Sequence, residues 1–220
     1  MNLEQARFNM IEQQIRPWDL VDTKVLDLLF FVKREAFVPA AYERLAFADT
    51  ELPLEAGKKA GAVMLAPKIE ARALQMLALK PHEKVLEVGT GSGYMAALLG
   101  AHADHVWSVE IVPELAETAR ENLRRYGVTN VTIETGDGFR GLPAQAPFDV
   151  IMVSGGVSAV SPELLAQLKV SGRLFAIVGQ AQAMHAQLIT RVSESSYSTV
   201  AEFETCTEML QAPVAPTFVF

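Results

Sequence analysis

The residues best suited to chemistry are Glu87-Val88-Gly89-Thr90-Gly91-Ser92-Gly93, which follow one apolar run and open another. Glycines in such a turn let a ligand approach the backbone, and the unpaired amides at a helix start face it. A dinucleotide loop, G-x-G-x-x-G, would place its third glycine at position 94, which is Tyr94. The spacing here is G-x-G-x-G, with a carboxylate two residues before the first glycine. Glu87 is a poor partner for a pyrophosphate and a good one for a sulfonium or ammonium group. Three further signals follow in order. Glu110, next to Ile111, ends the following apolar run, and its two acceptor oxygens suit a ribose diol. Asp137 in Gly136-Asp137-Gly138 suits an adenine amino group, and Ser154-Gly155-Gly156 lies where the reacting end of such a ligand would be.

Placing these groups on one edge requires a particular set of elements. Short apolar runs at residues 84–88, 105–110, 131–135, 148–154 and 173–178 predict strands. Helical segments at about 94–101, 113–126 and 162–168 alternate with them, the pattern of a parallel α/β sheet. Each chemical signal falls at the carboxyl end of a successive strand, the edge where open α/β sheets bind ligands. Segments 187–192 and 199–205 predict two last strands. Ahead of the sheet, residues 3–15 read as a one-sided helix, Asp22 caps a second, and Pro67 starts a third that runs to about Leu79. Residues 46–67 show no sustained period and read as a loop. The expected organisation is therefore residues 1–80 as helices with a covering loop and 81–220 as the ligand-binding α/β body, in one compact unit.

Composition narrows the partners. The chain has 220 residues, a net charge of −7, 50% hydrophobic residues and a single cysteine. That charge, with no basic block, argues against nucleic acid as the main partner. No stretch approaches the roughly 18 apolar residues of a spanning helix, and no cationic leader precedes an apolar run. One cysteine excludes an internal disulfide and fits a reducing compartment, so the cytoplasm is expected. His102 and His105 lack a completing ligand, so no metal is expected. Cys206 reads as a small buried apolar residue, and Trp18 and Trp107 as core. Oligomeric state is not readable from these residues.

The glycine loop with its acidic neighbours resembles class I methyltransferases, which have a Rossmann-like sheet flanked by helices and bind S-adenosylmethionine. More specifically, the chain resembles the protein-L-isoaspartate O-methyltransferase family, as a divergent bacterial member. The likeness rests on Arg34-Glu35-Ala36-Phe37-Val38-Pro39 with Tyr42, Leu52-Pro53, Val85 through Tyr94, Val109-Glu110, Gly136-Asp137-Gly138 and Pro147-Phe148-Asp149-Val150-Ile151. It implies methyl transfer to the carboxylate of isoaspartyl residues in damaged protein, after which the ester collapses toward a succinimide. It also implies that Glu87, Gly89, Thr90, Gly91, Ser92, Gly93, Glu110, Ile111, Asp137, Gly138 and Ser154 hold the cofactor. The acceptor loop would comprise Lys58, Lys59, Val63, Met64, Leu65 and Pro67. The family's Thr-Ile-Ser-x-Pro element is here Val63-Met64-Leu65-Ala66-Pro67, so both hydroxyls are replaced by apolar side chains and no catalytic side chain is assigned. Two alternatives follow: a different methyl acceptor, or a cofactor-binding protein without isoaspartyl activity.

Overall fold

The computed structural model describes residues 2–54, 61–180 and 183–212. The N-terminal helix α1 (Leu3–Asn9) is capped by Asn2, whose side chain accepts from the amides of Glu4 and Gln5. It continues as π-helical turns over Met10–Ile15, which bury Met10, Ile11 and Ile15. Asp22 caps α2 (Thr23–Phe31) through the Lys24 amide. The segment expected to be a loop holds two short strands, β1 (Leu52–Pro53) and β2 (Val63–Met64), paired antiparallel. Two residues are too few to leave an alternation in the sequence, so the tertiary pairing alone makes them strands. Then α3 (Pro67–Leu77) begins with proline in its first turn and stops at Ala78, which is left-handed at φ 43°.

The body follows as β3 (Lys84–Val88), α4 (Tyr94–Gly100), β4 (His105–Glu110), α5 (Pro113–Tyr126) and β5 (Val131–Thr135). It continues as β6 (Phe148–Val157), α6 (Pro162–Ala166), β7 (Leu168–Gln180), β8 (Ala183–Arg191) and β9 (Tyr197–Thr205). Seven strands form one sheet in the order β5-β4-β3-β6-β7-β8-β9. Pairing is parallel from β5 to β7 and antiparallel from β7 to β9. Alternate residues serve opposite faces. Val85, Val150 and Met152 join the helices α1 to α5, while Leu86, Ile151 and Val153 join α6. Both faces are covered, which is why these strands are nearly continuous apolar runs.

Two expectations about single residues are corrected. Trp18 is 51% exposed, with the Lys68 ammonium 4.0 Å from its ring centre, so it is a surface residue on the turn after the first helix. Cys206, just past β9, is exposed rather than buried. Gly93 shows what the glycine loop requires of its sequence. It precedes α4 at φ 83°, and a Cβ there would stand 3.3 Å from both Ala119 and Leu123 on α5. Gly93→Ala is expected to cost about 1–2 kcal/mol from the left-handed backbone alone and to lower Tm by roughly 2–8 °C. Calorimetric melting of the variant checks this.

Candidate active site

The turn after β3 carries Gly89 at φ 91° and Gly91 at φ 53°, conformations that an L side chain resists. It faces a cleft along the carboxyl ends of β3, β4 and β6, with about 620 Å³ of unfilled space, part of it open to solvent. Glu110, at the end of β4, is buried at its rim. Its Oε2 accepts from the Gly91 amide at 2.8 Å and its Oε1 from the Val112 amide at 3.0 Å. One carboxylate thus ties the glycine turn to the start of α5, and each oxygen retains a lone pair for a ligand. Ile111, Val112, Leu115 and Phe139 supply an apolar wall beside it.

Glu87 is placed differently from the sequence expectation. It is fully buried behind the cleft, where its Oε2 accepts from Ser108 at 2.6 Å and its Oε1 from Ser154 at 2.8 Å. The Thr90 and Ser108 hydroxyls are 2.5 Å apart, so a chain of hydroxyls leads from the glycine turn to this carboxyl. Burial pushes Glu87 up to about 8 against its two hydroxyl donors, and the Glu110 charge adds to the rise. Among these groups, Ser154 reaches the cleft.

The other expected residues divide. Gly89, Gly91, Ile111, Gly138, Ser154 and Val63 line the cleft. Thr90 and Gly93 stand behind the turn, and Ser92 lines a neighbouring groove, its carbonyl accepting from Asn122 at 3.0 Å. Asp137 caps the short turn Gly138–Arg140 by accepting from the Phe139 amide at 2.9 Å, and it does not line the cleft. Met64, Leu65 and Pro67 are buried among core residues rather than at the cleft. Lys58 and Lys59 lie outside the described residues. Among the described residues, no cluster of three or more His, Cys, Asp or Glu could hold a metal ion, and no helix is long and apolar enough to cross a membrane.

A further wall was not expected from the sequence. Strand β3 ends opposite Val153, yet β6 runs on to Val157, leaving one edge of β6 open just above the glycine turn. The segment after β9 fills that edge as a strap. The Gly156 amide donates to the Glu208 carbonyl at 2.9 Å, and the Leu210 amide donates to the Gly156 carbonyl at 2.8 Å. Leu210 then packs onto the glycines: a Cβ at Gly89 would stand 2.8 Å from its Cδ2, and one at Gly155 would stand 2.6 Å away. Glu208, Met209, Leu210 and Gln211 all line the cleft. Leu54 closes the other side, where a Cβ at Gly91 would lie 2.8 Å from its Cδ1.

The donor set selects the ligand. Among the described lining residues none is Lys or Arg, whereas Glu110 and Glu208 are acidic. Such a cleft disfavours a phosphate and favours a cationic ligand with a diol and an apolar ring, which is the make-up of S-adenosylmethionine.

Comparisons with known proteins agree with this geometry. The model of the family described as protein-L-isoaspartate(D-aspartate) O-methyltransferase matches residues 5–212. A protein-L-isoaspartate O-methyltransferase of Koribacter versatilis (strain Ellin345) is 45% identical over 177 residues, covering 80% of this chain and 77% of the relative. One from Methanoculleus marisnigri (strain ATCC 35101 / DSM 1498 / JR1) is 42% identical over 173 residues, covering 79% of this chain and 77% of its own length. In fold, the chain is similar to the crystal structure of a putative protein-L-isoaspartate O-methyltransferase from Plasmodium falciparum in complex with S-adenosyl-L-homocysteine. The TM-score is 0.78 at 20% identity, over 96% of this chain and 99% of that one.

Proposed function

The chain belongs to the protein-L-isoaspartate(D-aspartate) O-methyltransferase family, and from that membership we propose that it methylates the carboxylate of isoaspartyl residues in damaged proteins and peptides. It is an S-adenosylmethionine-dependent O-methyltransferase. The observation that carries the reading is the family match over residues 5–212, which takes in every described residue that lines the cleft.

In this reading Glu110 would hold the ribose hydroxyls, while Ile111, Val112, Gly138 and Phe139 would form the adenine-binding wall. The glycine turn would present its backbone to the cofactor at Gly89 and Gly91. Glu87 acts on the cationic end through Ser154, and Asp137 acts by fixing Phe139. Bound S-adenosylmethionine supplies a methyl carbon made electrophilic by its sulfonium. The acceptor carboxylate is already ionised at neutral pH, so no side chain of this chain has to serve as a base. The chain would contribute alignment of the acceptor carboxylate with that methyl carbon and the exclusion of water. Leu54, Val63 and Leu210 form apolar walls suited to that exclusion. Lys58 and Lys59, between two segments that both border the cleft, are the cations proposed to attract the acceptor. Residues 1–80 would cover the acceptor and 81–220 hold the cofactor. A net charge of −7 and a lone cysteine support a cytoplasmic setting with protein substrates rather than nucleic acid or a membrane.

The test is incubation of an isoaspartyl peptide, beside its aspartyl isomer, with methyl-labelled cofactor. Base-labile label on the isoaspartyl peptide alone is the expected result. Absence of label from a protein shown by calorimetry to bind the cofactor would sink the acceptor assignment.

A further inference from the structure

The cleft wall at Gly61, Ala62 and Val63 is followed by Met64 and Leu65, and no side chain from 61 to 65 carries a hydrogen-bonding group. Core packing of Met64 and Leu65 and the β1–β2 pairing, with the Leu54 amide donating to the Ala62 carbonyl at 2.9 Å, hold its near end, and a side chain also acts on the backbone just beyond it. Arg34 does so from behind. It is 1% exposed, its Nη2 donates to the Leu65 carbonyl at 2.8 Å, and its Nη1 pairs with Glu70 in the first turn of α3. Its guanidinium lies 5.3 Å from the ring centre of Tyr94, the residue after the glycine turn. A single side chain thus touches the backbone two residues beyond the wall, the helix that this segment leads into, and the helix that the cofactor turn opens. A buried ion pair is weak support for stability, because apolar residues of similar volume serve as well or better. The planar fork of Arg34, by contrast, meets a carbonyl and a carboxylate at once, which a lysine ammonium does not reproduce.

We propose that Arg34 is a positioning residue for the methyl acceptor, setting the wall Gly61–Val63 relative to the glycine turn through the Leu65 carbonyl. This rests on the isoaspartyl reading for its activity arm and on geometry alone for its second arm. In Arg34→Lys, kcat/KM for an isoaspartyl peptide is expected to fall about fivefold while the cofactor Kd stays within twofold. Amide hydrogen exchange across residues 61–66 is expected to quicken in the same variant. The double variant Arg34→Met with Glu70→Met removes both buried charges and serves if the lysine variant fails to fold; it should show the same pair of changes with a cooperative melt. Unchanged exchange at 61–66 overturns the proposal, as does a peptide kcat/KM that falls only in step with cofactor affinity. If the unaltered protein gives no methyl ester, the isoaspartyl reading fails, and the exchange arm still decides the role of Arg34.

Discussion

Replacing Glu110 with alanine is expected to weaken S-adenosylmethionine binding by about 100-fold or more. Two effects combine. Hydrogen bonds to a charged group contribute about 1.5–3 kcal/mol each, so losing the two ribose hydroxyl contacts proposed for it costs about 3 kcal/mol even at the low end, somewhat over 100-fold in Kd. The same carboxylate also holds the Gly91 and Val112 amides, so its removal frees the glycine turn from α5 as well. Glu110→Gln keeps one acceptor oxygen and should lose about tenfold, since it forfeits the charge and presents a donor where an acceptor is needed. Titration calorimetry with the cofactor and with its demethylated product measures both variants. An unchanged Kd for the alanine variant would remove Glu110 from the site.

The second large effect is a dependence on pH that originates behind the cleft. Glu87, held up to about 8 by burial, is largely neutral in the ligand-free protein at pH 7. A cation placed beside Ser154 favours the ionised form, so cofactor binding is expected to release a proton. The affinity should tighten more than tenfold between pH 6 and 8.5, and Glu87→Gln should flatten that rise. Calorimetry in two buffers of different ionisation enthalpy counts the proton directly; no buffer dependence at pH 7 would disprove the coupling. Stability runs the opposite way. The folded state binds a proton at Glu87 that the unfolded chain has lost above about 4.5, so this contribution is full at low pH and declines as pH rises from about 4.5 to 8. Glu70, raised by burial to about 7 against the pull of Arg34, declines over the lower part of the same window. The melting temperature of the ligand-free protein is therefore expected to fall across neutral pH, with a shallower slope in Glu87→Gln.

Much of the sheet was legible because both of its faces are buried. The bounds of β3, β4, β5 and α5 coincide with those read from the alternation of apolar runs and helical segments. Glu110 and the glycine turn were legible for a related reason, since their positions relative to strand ends fix where they must lie. Asp137 was read as a partner for an adenine amino group, and in the structure its Oδ1 accepts from the Phe139 amide, a local cap that the sequence does not rank against a ligand. Glu87 was read as a direct contact, whereas the serines at 108 and 154 lie on other strands and intercept it. The strap had no signal of its own. Its place is created by β6 outrunning β3, a difference in strand length that becomes visible only when the strands are side by side. Arg34 belonged to a recognised run of residues, yet its partners Leu65 and Glu70 lie some thirty residues away, with no spacing to announce them.

The strap also bears on how the protein is made. Gly89 and Gly155 leave the ribosome long before Leu210, the residue that packs on both of them. A nascent chain that has released only β3 to β6 therefore has a glycine turn with one side bare, and folding of the parallel strands does not by itself finish the cleft. The cleft wall is complete only once β9 and the turn behind it have been made.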